Sequence, residues 1–280
     1  MNDVTIRRMR AGEIALAVDW AAREGWNPGM HDADCFAKAD PQGFFLAAID
    51  GEPVATISLV NYDAAFSFLG FYIVRPDLRG RGIGRALWQE ARRHAGSRTI
   101  GLDGVLAQQA NYARDGFRPA YRNIRFAGRP GTHAVQAAGM VGLASLPFSQ
   151  IAASDALVFP AARDAFLRAW IGAPSHVGRA LVENGRLAGW GVIRPVRHGY
   201  KIGPLVAEDA ASAERIFMAL AGVAGDAEIV LDVPEPNGLA VQLAARAHLQ
   251  PVFETARMYT GPVRRVDLAR LYGVTSFELG

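Results

Sequence analysis

The chain has 280 residues, half of them hydrophobic and a fifth charged, and its formal net charge is +3 at pH 7. This composition excludes a disordered chain, the length is enough for two ordinary domains, and the charge is too small to require a nucleic-acid partner. No apolar run is long enough to cross a bilayer, the first residues lack a signal-peptide core, and the single cysteine excludes an internal disulfide, so we expect a cytoplasmic protein.

The first half of the chain predicts an alternation of strands and helices, because its apolar residues change between a period of two and a helical period. The turn signal Asp50-Gly51 joins two of the strands as a hairpin. The predicted strands cover residues 4–8, 44–49, 53–60, 66–74, 99–105 and 118–126, and the predicted helices cover residues 12–24, 31–39, 84–95 and 107–115.

A glycine-rich loop follows the strand predicted over residues 66–74. Gly80, Gly82 and Gly84 stand at every second position between arginines and an isoleucine, and a helical pattern begins directly after them. Glycines let backbone N–H groups turn inward and a helix N-terminus attracts anions, so this arrangement predicts a phosphate cradle. A Walker loop is excluded because no lysine follows, and the dinucleotide fingerprint is excluded because its glycine spacing differs.

The second half repeats the pattern of the first. Asn184-Gly185 repeats the hairpin signal of Asp50-Gly51, and residues 251–258 match residues 119–126 in spacing and character. The predicted strands of this copy cover residues 179–183, 187–194, 200–206, 228–233 and 251–258, and its predicted helices cover residues 210–220 and 239–247.

The two copies differ at the loop after the central strand. Where the first copy has its three glycines, the second has Ala211, Ala213 and Arg215, whose side chains would block a backbone cradle. Glu208 and Asp209 would also repel a pyrophosphate. We therefore expect only the first copy to bind a phosphorylated ligand.

The stretch from Arg79 to Gly84 resembles the acetyl-CoA loop of the GNAT acetyltransferases, Arg/Gln-x-x-Gly-x-Gly/Ala after a strand, with Arg79, Gly82 and Gly84 in the matching positions. The resemblance implies an α/β fold (α+β by some schemes) of two tandem GNAT-like domains, each a mixed, largely antiparallel sheet flanked by helices. We expect an acetyl-CoA-binding domain over residues 1–128, a connector over residues 129–149 and a degenerate domain over residues 150–280.

The resemblance also implies acetyl-CoA as cosubstrate. The backbone of the strand before the loop would pair with the pantetheine amides and polarise the thioester carbonyl, while the loop and the first helical turn would bind the pyrophosphate. Most members of the family carry an Asn where this chain has Val105, and Asn111 is the candidate substitute. The cofactor-binding candidates are Tyr72, Ile73, Val74, Arg79, Gly80, Arg81, Gly82, Ile83, Gly84, Arg85 and Asn111.

Acetyl transfer to an amine needs one group that gives a proton to the departing thiolate and one that takes a proton from the amine. Tyr112 holds the place of the tyrosine in the family pattern Tyr-x-x-x-Gly-Phe, and a phenol with a pKa near 10 is protonated at neutral pH, so it is the candidate acid. The base stays open: the acidic candidates are Glu24, Asp32, Asp34, Asp63 and Asp103, of which Asp103 and Glu24 are put forward, and a water relay is a further alternative.

The acceptor end of the cleft is less readable. Candidates for substrate binding flank a Pro/Gly break or offer an aromatic wall, and they are Trp26, Asn27, Asp32 and Tyr62. We expect the second domain to close the cleft with Tyr200, Tyr259 or residues 275–278. His94 and His198 have no ligand-like spacing, so no metal is expected.

The leading hypothesis is therefore an N-acetyltransferase that moves the acetyl group of acetyl-CoA to a primary amine by direct attack in a ternary complex. A small-molecule amine is favoured because a second domain would roof the cleft, and a protein or peptide amine is the alternative acceptor. A non-catalytic acyl-CoA sensor is the alternative outside enzymes. Neither a nucleic-acid nor a membrane partner is expected.

Overall fold

The computed structural model describes residues 4–131 and 138–280, and thirteen strands of these residues form one continuous sheet. The strands are β1 Val4–Arg8, β2 Phe44–Ile49, β3 Glu52–Asn61, β4 Phe66–Val74, β5 Thr99–Val105, β6 Arg118–Gly128, β7 Met140–Gly142, β8 Val177–Glu183, β9 Arg186–Pro195, β10 Tyr200–Ala207, β11 Ile229–Pro234, β12 Gln250–Tyr259 and β13 Leu271–Gly273. The α-helices are α1 Ile14–Arg23, α2 Asp32–Phe36, α3 Ile83–Ala95, α4 Gln109–Arg114, α5 Phe148–Val158, α6 Asp164–Gly172, α7 Ala210–Ala224 and α8 Gly238–Arg246.

The predicted α/β class is confirmed: the sheet is mostly antiparallel, helices flank it, and only the β4/β5 and β10/β11 ladders are parallel among the described pairs. The helices α5 and α6 and the short strands β7 and β13 were not predicted. Strand β7 extends the sheet beside β8 from within the stretch predicted as a connector, of which residues 132–137 lie outside the described residues.

Helices α3 and α7 cover equivalent faces of the two copies. The apolar residues of α3 recur at helical spacing, and Leu87, Trp88, Ala91 and Ala95 are buried against β2, β3 and β4. Helix α7 packs in the same way on β8, β9 and β10. Apolar burial of this kind fixes each central strand at a defined angle to the helix that follows it.

The last strand of each copy is exchanged with the other copy. Strand β5 pairs with β12 instead of β6, and β11 pairs with β6 instead of β12, while β6 and β12 pair with each other at the centre of the sheet. The local pattern that predicts a strand contains no information about its partner. Each copy of the fold is therefore completed by a strand from the other half of the chain.

Two equivalent buried ion pairs hold the exchanged strands. Arg257 on β12 binds both oxygens of Asp103 on β5, with N–O distances of 2.8 and 2.9 Å. Arg125 on β6 binds both oxygens of Asp232 on β11 in the same way, at 2.6 and 2.8 Å. Because all four side chains are almost inaccessible to solvent, losing one partner of either pair should cost about 3–5 kcal/mol.

In each copy the two parallel central strands, β4 and β5 or β10 and β11, separate toward one end. Only the gap of the second copy is filled by another described strand. The β4/β5 ladder ends at Leu69 and Leu102, and beyond it no described strand pairs with this edge of β4. The β10/β11 ladder ends at Ile202 and Leu231, and there β13 pairs with β10. The first copy thus keeps an open cleft, whereas the chain itself occupies the cleft of the second.

Candidate functional site

A cavity of about 590 Å³ opens where β4 and β5 diverge. Its walls combine the glycine loop and the start of α3 with both central strands, the exchanged strands β6 and β12, and a segment after β13. The residues that line it and recur below are Glu24, Trp26, Tyr72, Ile73, Val74, Arg79, Gly80, Gly82, Ile83, Gly84, Arg85, Asp103, Tyr112, Arg125, Phe253, Thr255, Phe277 and Glu278.

The glycine loop leaves the N-terminus of α3 open toward this cavity. Gly80 and Gly82 have φ values of 80° and 81°, a left-handed conformation that residues with a Cβ adopt at a cost. Gly82 is the N-cap of α3, and no described side chain caps the helix there. The first backbone N–H groups of α3 therefore remain available to an anion.

Gly84 is needed for a different reason from the other two glycines. A Cβ at this position would lie 2.6 Å from the Tyr72 hydroxyl and 2.9 Å from Cγ2 of Val74. The absence of a side chain lets the first turn of α3 pack directly on β4. The spacing of the three glycines therefore combines two turn positions with one close-packing position.

Arg79 and Arg85 form only solvent-exposed ion pairs with other described side chains. Arg79 donates to Glu24 at 2.6 Å and to the Val74 carbonyl at 3.0 Å, and Arg85 binds Asp115. Arg81 makes no hydrogen bond to the described residues and does not line the cavity. Exposed ion pairs of this kind contribute about 0–1 kcal/mol, so a phosphate can replace these carboxylates at small cost.

The open edge of β4 begins at a bulge. Phe71 has a φ of 48°, and its carbonyl accepts a hydrogen bond from Thr56 Oγ1 at 2.9 Å. The register between β3 and β4 shifts here, and Tyr72, Ile73 and Val74 continue the strand along the cavity. A strand edge with this exposure is a template for pairing with an extended amide-containing ligand.

Tyr112 reaches the same cavity from α4. Its ring stacks on Trp88 at 5.8 Å between centroids and lies against Gly104, where a Cβ would be 2.9 Å from the ring. No hydrogen bond joins its hydroxyl to the described residues, and burial raises the pKa of the phenol, with the nearby Tyr72 adding to the shift. Tyr112 therefore stays protonated and rigidly oriented at the cavity wall.

The two carboxylates predicted as alternative bases both line the cavity, but each is already engaged. Both oxygens of Asp103 bind Arg257, and Asn123 Nδ2 donates to one of them at 2.8 Å. Glu24 binds Arg79 through one oxygen. A base needs a free lone pair facing the amine, and this geometry disfavours Asp103 in particular.

Several predicted residues lie elsewhere and join the two halves of the chain. Asp32 is fully buried against Arg194 and Gly29, the side chain of Asn27 exchanges two hydrogen bonds with the backbone of His198, and Tyr62 donates to the Leu279 carbonyl at 2.7 Å. The sequence signals that suggested an acceptor pocket here belong to the interface between the copies. Asn111 is exposed, bonded to Gln108 and Arg114, and absent from the cavity wall, as are Tyr200 and Tyr259.

The part of the cavity wall that we expect to face an acceptor is contributed largely by the second half of the chain. Strand β12 contributes Phe253 and Thr255, and the segment after β13 contributes Phe277 and Glu278, which belong to residues 275–278 predicted to close the cleft. Trp26 is the one predicted acceptor-binding residue in the wall. Sequence reasoning missed Arg125, and it named Glu278 only within residues 275–278, without a chemical role. A signal for Arg125 was available in the sequence, because Arg125 and Arg257 hold the same position in the two matched strands.

Two family models match this chain. Residues 13–117 match the model described as the acetyltransferase (GNAT) family, and residues 151–273 match the model described as an acetyltransferase (GNAT) domain. Among curated proteins, the holothin acyltransferase of Pseudoalteromonas sp. (strain SANK 73390) is 30% identical over 269 residues, which cover 96% of this chain and 92% of that protein.

Solved structures share the fold along the whole chain. A candidate acetyltransferase from Pyrococcus horikoshii superposes with a TM-score of 0.82 at 23% identity, covering 99% of this chain and 96% of that one. A tandem GNAT protein from the clavulanic acid biosynthesis pathway gives a TM-score of 0.66 at 18% identity, covering 93% and 99% of the two chains. Among the described residues, no helix combines the length and the apolar character needed to span a bilayer.

Proposed function

Because the chain belongs to the GNAT acetyltransferase family and carries two such domains in tandem, we propose that it is an N-acetyltransferase that uses acetyl-CoA. The acceptor is the primary amine of a small molecule, which attacks directly in a ternary complex. The family supports acyl transfer in general, and the choice of acetyl-CoA and of an amine rests on the site.

One observation carries the proposal: a single cavity collects an uncapped helix N-terminus, an open strand edge and a protonated tyrosine. These groups fit coenzyme A in three ways. The amides of α3 and Arg79 suit a pyrophosphate, the edge of Tyr72 to Val74 suits the pantetheine amides, and Gly80 and Gly82 keep the loop free of side chains.

The residues of the cavity have separate tasks in this reaction. Bound acetyl-CoA supplies an activated acyl group as a thioester. A backbone N–H of β4 polarises the acyl carbonyl oxygen. The Tyr112 hydroxyl gives its proton to the leaving sulfur, and the phenol regains a proton from the acylated nitrogen. The raised pKa of Tyr112 keeps this group in the donor form across neutral pH.

A small acceptor is supported by the shape of the acceptor end. Strand β12 and the segment after β13 narrow the cleft with Phe253, Phe277 and Glu278. Sheet pairing fixes Phe253, and hydrogen bonds to the backbone of residues 274–280 hold the segment that carries the other two. The curated relative is named for acylation of holothin. Both observations favour a small molecule over an extended peptide.

The test is a calorimetric titration with coenzyme A followed by an assay of thiol release with acetyl-CoA and an amine library. We expect one coenzyme A per chain. Gly80→Val should weaken binding at least about 30-fold, because valine resists the left-handed backbone of the cradle. Ala211→Val, in the first turn of α7, the helix of the second copy that corresponds to α3, is the control and should bind normally. Unchanged binding by Gly80→Val would refute the cradle, and tight binding without turnover of any amine would support the sensor instead.

A further inference from the structure

Glu278 is a buried carboxyl group that the fold does not use. Its exposed fraction is 2%, and neither Oε1 nor Oε2 has a hydrogen-bond partner among the described residues. The residue lines the cavity at the acceptor end. Burying an unpaired carboxylate is costly, so a protein that keeps one in a cavity wall has a reason outside stability.

The cations near Glu278 are bound to other groups. Arg125 on β6 gives both of its inner N–H donors to Asp232 and a third to the Trp26 carbonyl at 2.8 Å. Lys201 on β10 lies 4.0 Å from Asp232, and Asp32 on α2 adds a negative charge that is itself paired with Arg194. Burial raises the pKa of Glu278 although Lys201 and Arg125 oppose the shift.

The segment that carries Glu278, residues 274–280, is held firmly over the cavity. The Val274 amide donates to the Asp232 carbonyl at 2.8 Å, Tyr62 binds the Leu279 carbonyl, and Arg163 donates to the Gly280 carbonyl at 3.1 Å. The main chain at Glu278 crosses β4 so closely at Gly70 that a Cβ there would collide with the Glu278 carbonyl. The side chain is therefore presented from a rigid support.

Aromatic side chains line the same cavity as Glu278. Phe277 and Phe253 lie 6.4 Å apart between centroids, and the Arg125 guanidinium lies 4.8 Å from the ring centroid of Phe277. Trp26 joins them in the wall through its carbonyl contact with Arg125. Thr255 adds a buried hydroxyl oxygen that has no described partner. This end of the cavity offers apolar faces and hydrogen-bond acceptors, which suits a cation attached to a flat apolar group.

We propose that Glu278 binds the ammonium group of the acceptor and takes its proton, and that the acceptor is a primary amine carried on an aromatic group. This inference rests on the proposed acetyltransferase function. The ammonium N–H bond breaks, a carboxyl O–H bond forms, and the electron pair stays on the nitrogen, which is then the nucleophile. The proton leaves Glu278 for solvent after the transfer, so the carboxylate is regenerated. The second half of the chain thus supplies the base for a cofactor site in the first half.

The kinetic test uses tryptamine, tyramine and phenethylamine as acceptors and compares Glu278→Gln with wild type. We expect kcat/KM for the amine to fall about 100-fold or more near pH 7, because removal of a general base has effects of this size. Glu278→Asp should recover part of the loss. The exposed Glu228→Gln is the matched control and should behave as wild type.

The pH dependence separates a proton acceptor from a merely structural residue. Wild-type kcat/KM should rise with pH until Glu278 is ionised and should then level off. The nearby Lys201, whose pKa is lowered to about 8, is the other group that loses its charge in this pH range. In Glu278→Gln the rate should follow the free-amine fraction, about tenfold per pH unit, so its deficit shrinks at high pH. An equal deficit at every pH would overturn the proposal.

A second measurement needs no substrate. The pKa of Glu278 in the folded protein lies above the ordinary value of 4.5, so its ionisation destabilises the fold as the pH rises through that raised pKa. The Tm of Glu278→Gln relative to wild type should therefore increase with pH above 4.5. A lower Tm for the variant at pH 8 would identify a structural ion pair and refute the proposal.

The outcomes distinguish failure of the proposed acetyltransferase function from failure of the Glu278 proposal. Coenzyme A binding by wild type and by Glu278→Gln should agree within about twofold, because the coenzyme A groups of the cavity are unchanged. If wild type acetylates other amines but none of the three arylalkyl amines, the acceptor class is wrong while the acetyltransferase function stands. If wild type transfers no acetyl group to any amine, the proposed function fails and this inference fails with it.

Discussion

The two copies of the fold treat the same junction in opposite ways. In the first copy residues 75–82 separate the end of β4 from α3, and in the second only residues 208 and 209 separate β10 from α7. The Asp209 carboxylate caps helix α7 by accepting a hydrogen bond from the Ser212 amide at 2.8 Å. Helix α3, in contrast, begins at a glycine and has no side-chain cap. The strand divergence is open in one copy and filled by β13 in the other. The same arrangement of strands and helix thus gives an open cleft in the first copy and a filled one in the second.

The second copy differs from the first in more than its missing glycines. The second copy has closed each of the three features that suit coenzyme A: the helix amides are capped, the strand edge is paired, and Ala244 stands where the first copy has Tyr112. The chain that seals the second cleft then continues into the wall of the first. The second copy thus contributes to the wall of the first copy's cavity.

The sharpest test of this contrast is Tyr112→Phe. The variant keeps the stacked ring and removes only the proton donor, so kcat should fall about 10²–10⁴-fold while the KM for acetyl-CoA changes little. Steady-state kinetics of thiol release measure both quantities. An unchanged kcat would mean that the tyrosine, like its alanine counterpart in the second copy, has no part in the chemistry.

The next test concerns the buried ion pairs of the exchanged strands and measures the free energy of unfolding. Asp103→Asn and Asp232→Asn each leave a buried arginine unpaired and should each cost about 3–5 kcal/mol in urea denaturation. Asp232→Asn should be the more costly, because Asp232 also faces Lys201 at 4.0 Å. Equal and small losses would show that the two ion pairs do not hold the halves together.

The smallest expected effect concerns the cap of the second copy. Asp209→Ala should lower the free energy of unfolding by about 1 kcal/mol, since it removes a side-chain cap from α7. Coenzyme A should still bind with one molecule per chain, because β13 continues to fill the cleft. A second bound molecule in the calorimetric titration would contradict the assignment of a sealed copy.

Local patterns predicted most of the fold and the glycine loop that lines the cavity. The strands ending at Ile49, Val74 and Val105 have the predicted bounds, since alternation and turn residues act over a few positions. The glycine loop was readable because its φ values constrain residue type. Strand partners were not readable, because a strand such as β6 carries the same alternation whichever neighbour it pairs with.

The predictions for the acceptor half agree with the cavity wall only in part, for the same physical reason. Trp26 and residues 277 and 278 line it, whereas Asn27, Asp32 and Tyr62 do not. Asp32 and Tyr62 were predicted near the substrate because they flank a chain break and a strand end, yet their partners are Arg194 and Leu279, more than 150 residues away. Glu278 carries no local pattern at all. Its role depends on which strand the segment crosses, and that is fixed only when the whole sheet has formed.

The exchange of β6 and β12 has a consequence for how the polypeptide matures. While the ribosome is still adding residues, β5 has its inner edge exposed and must wait for residues 250–259 before that edge is covered. An uncovered edge invites contacts with other nascent chains, so this interval is the vulnerable stage of biogenesis. Neither half can be released early as a finished unit, because β5 stays uncovered until residues 250–259 have been made.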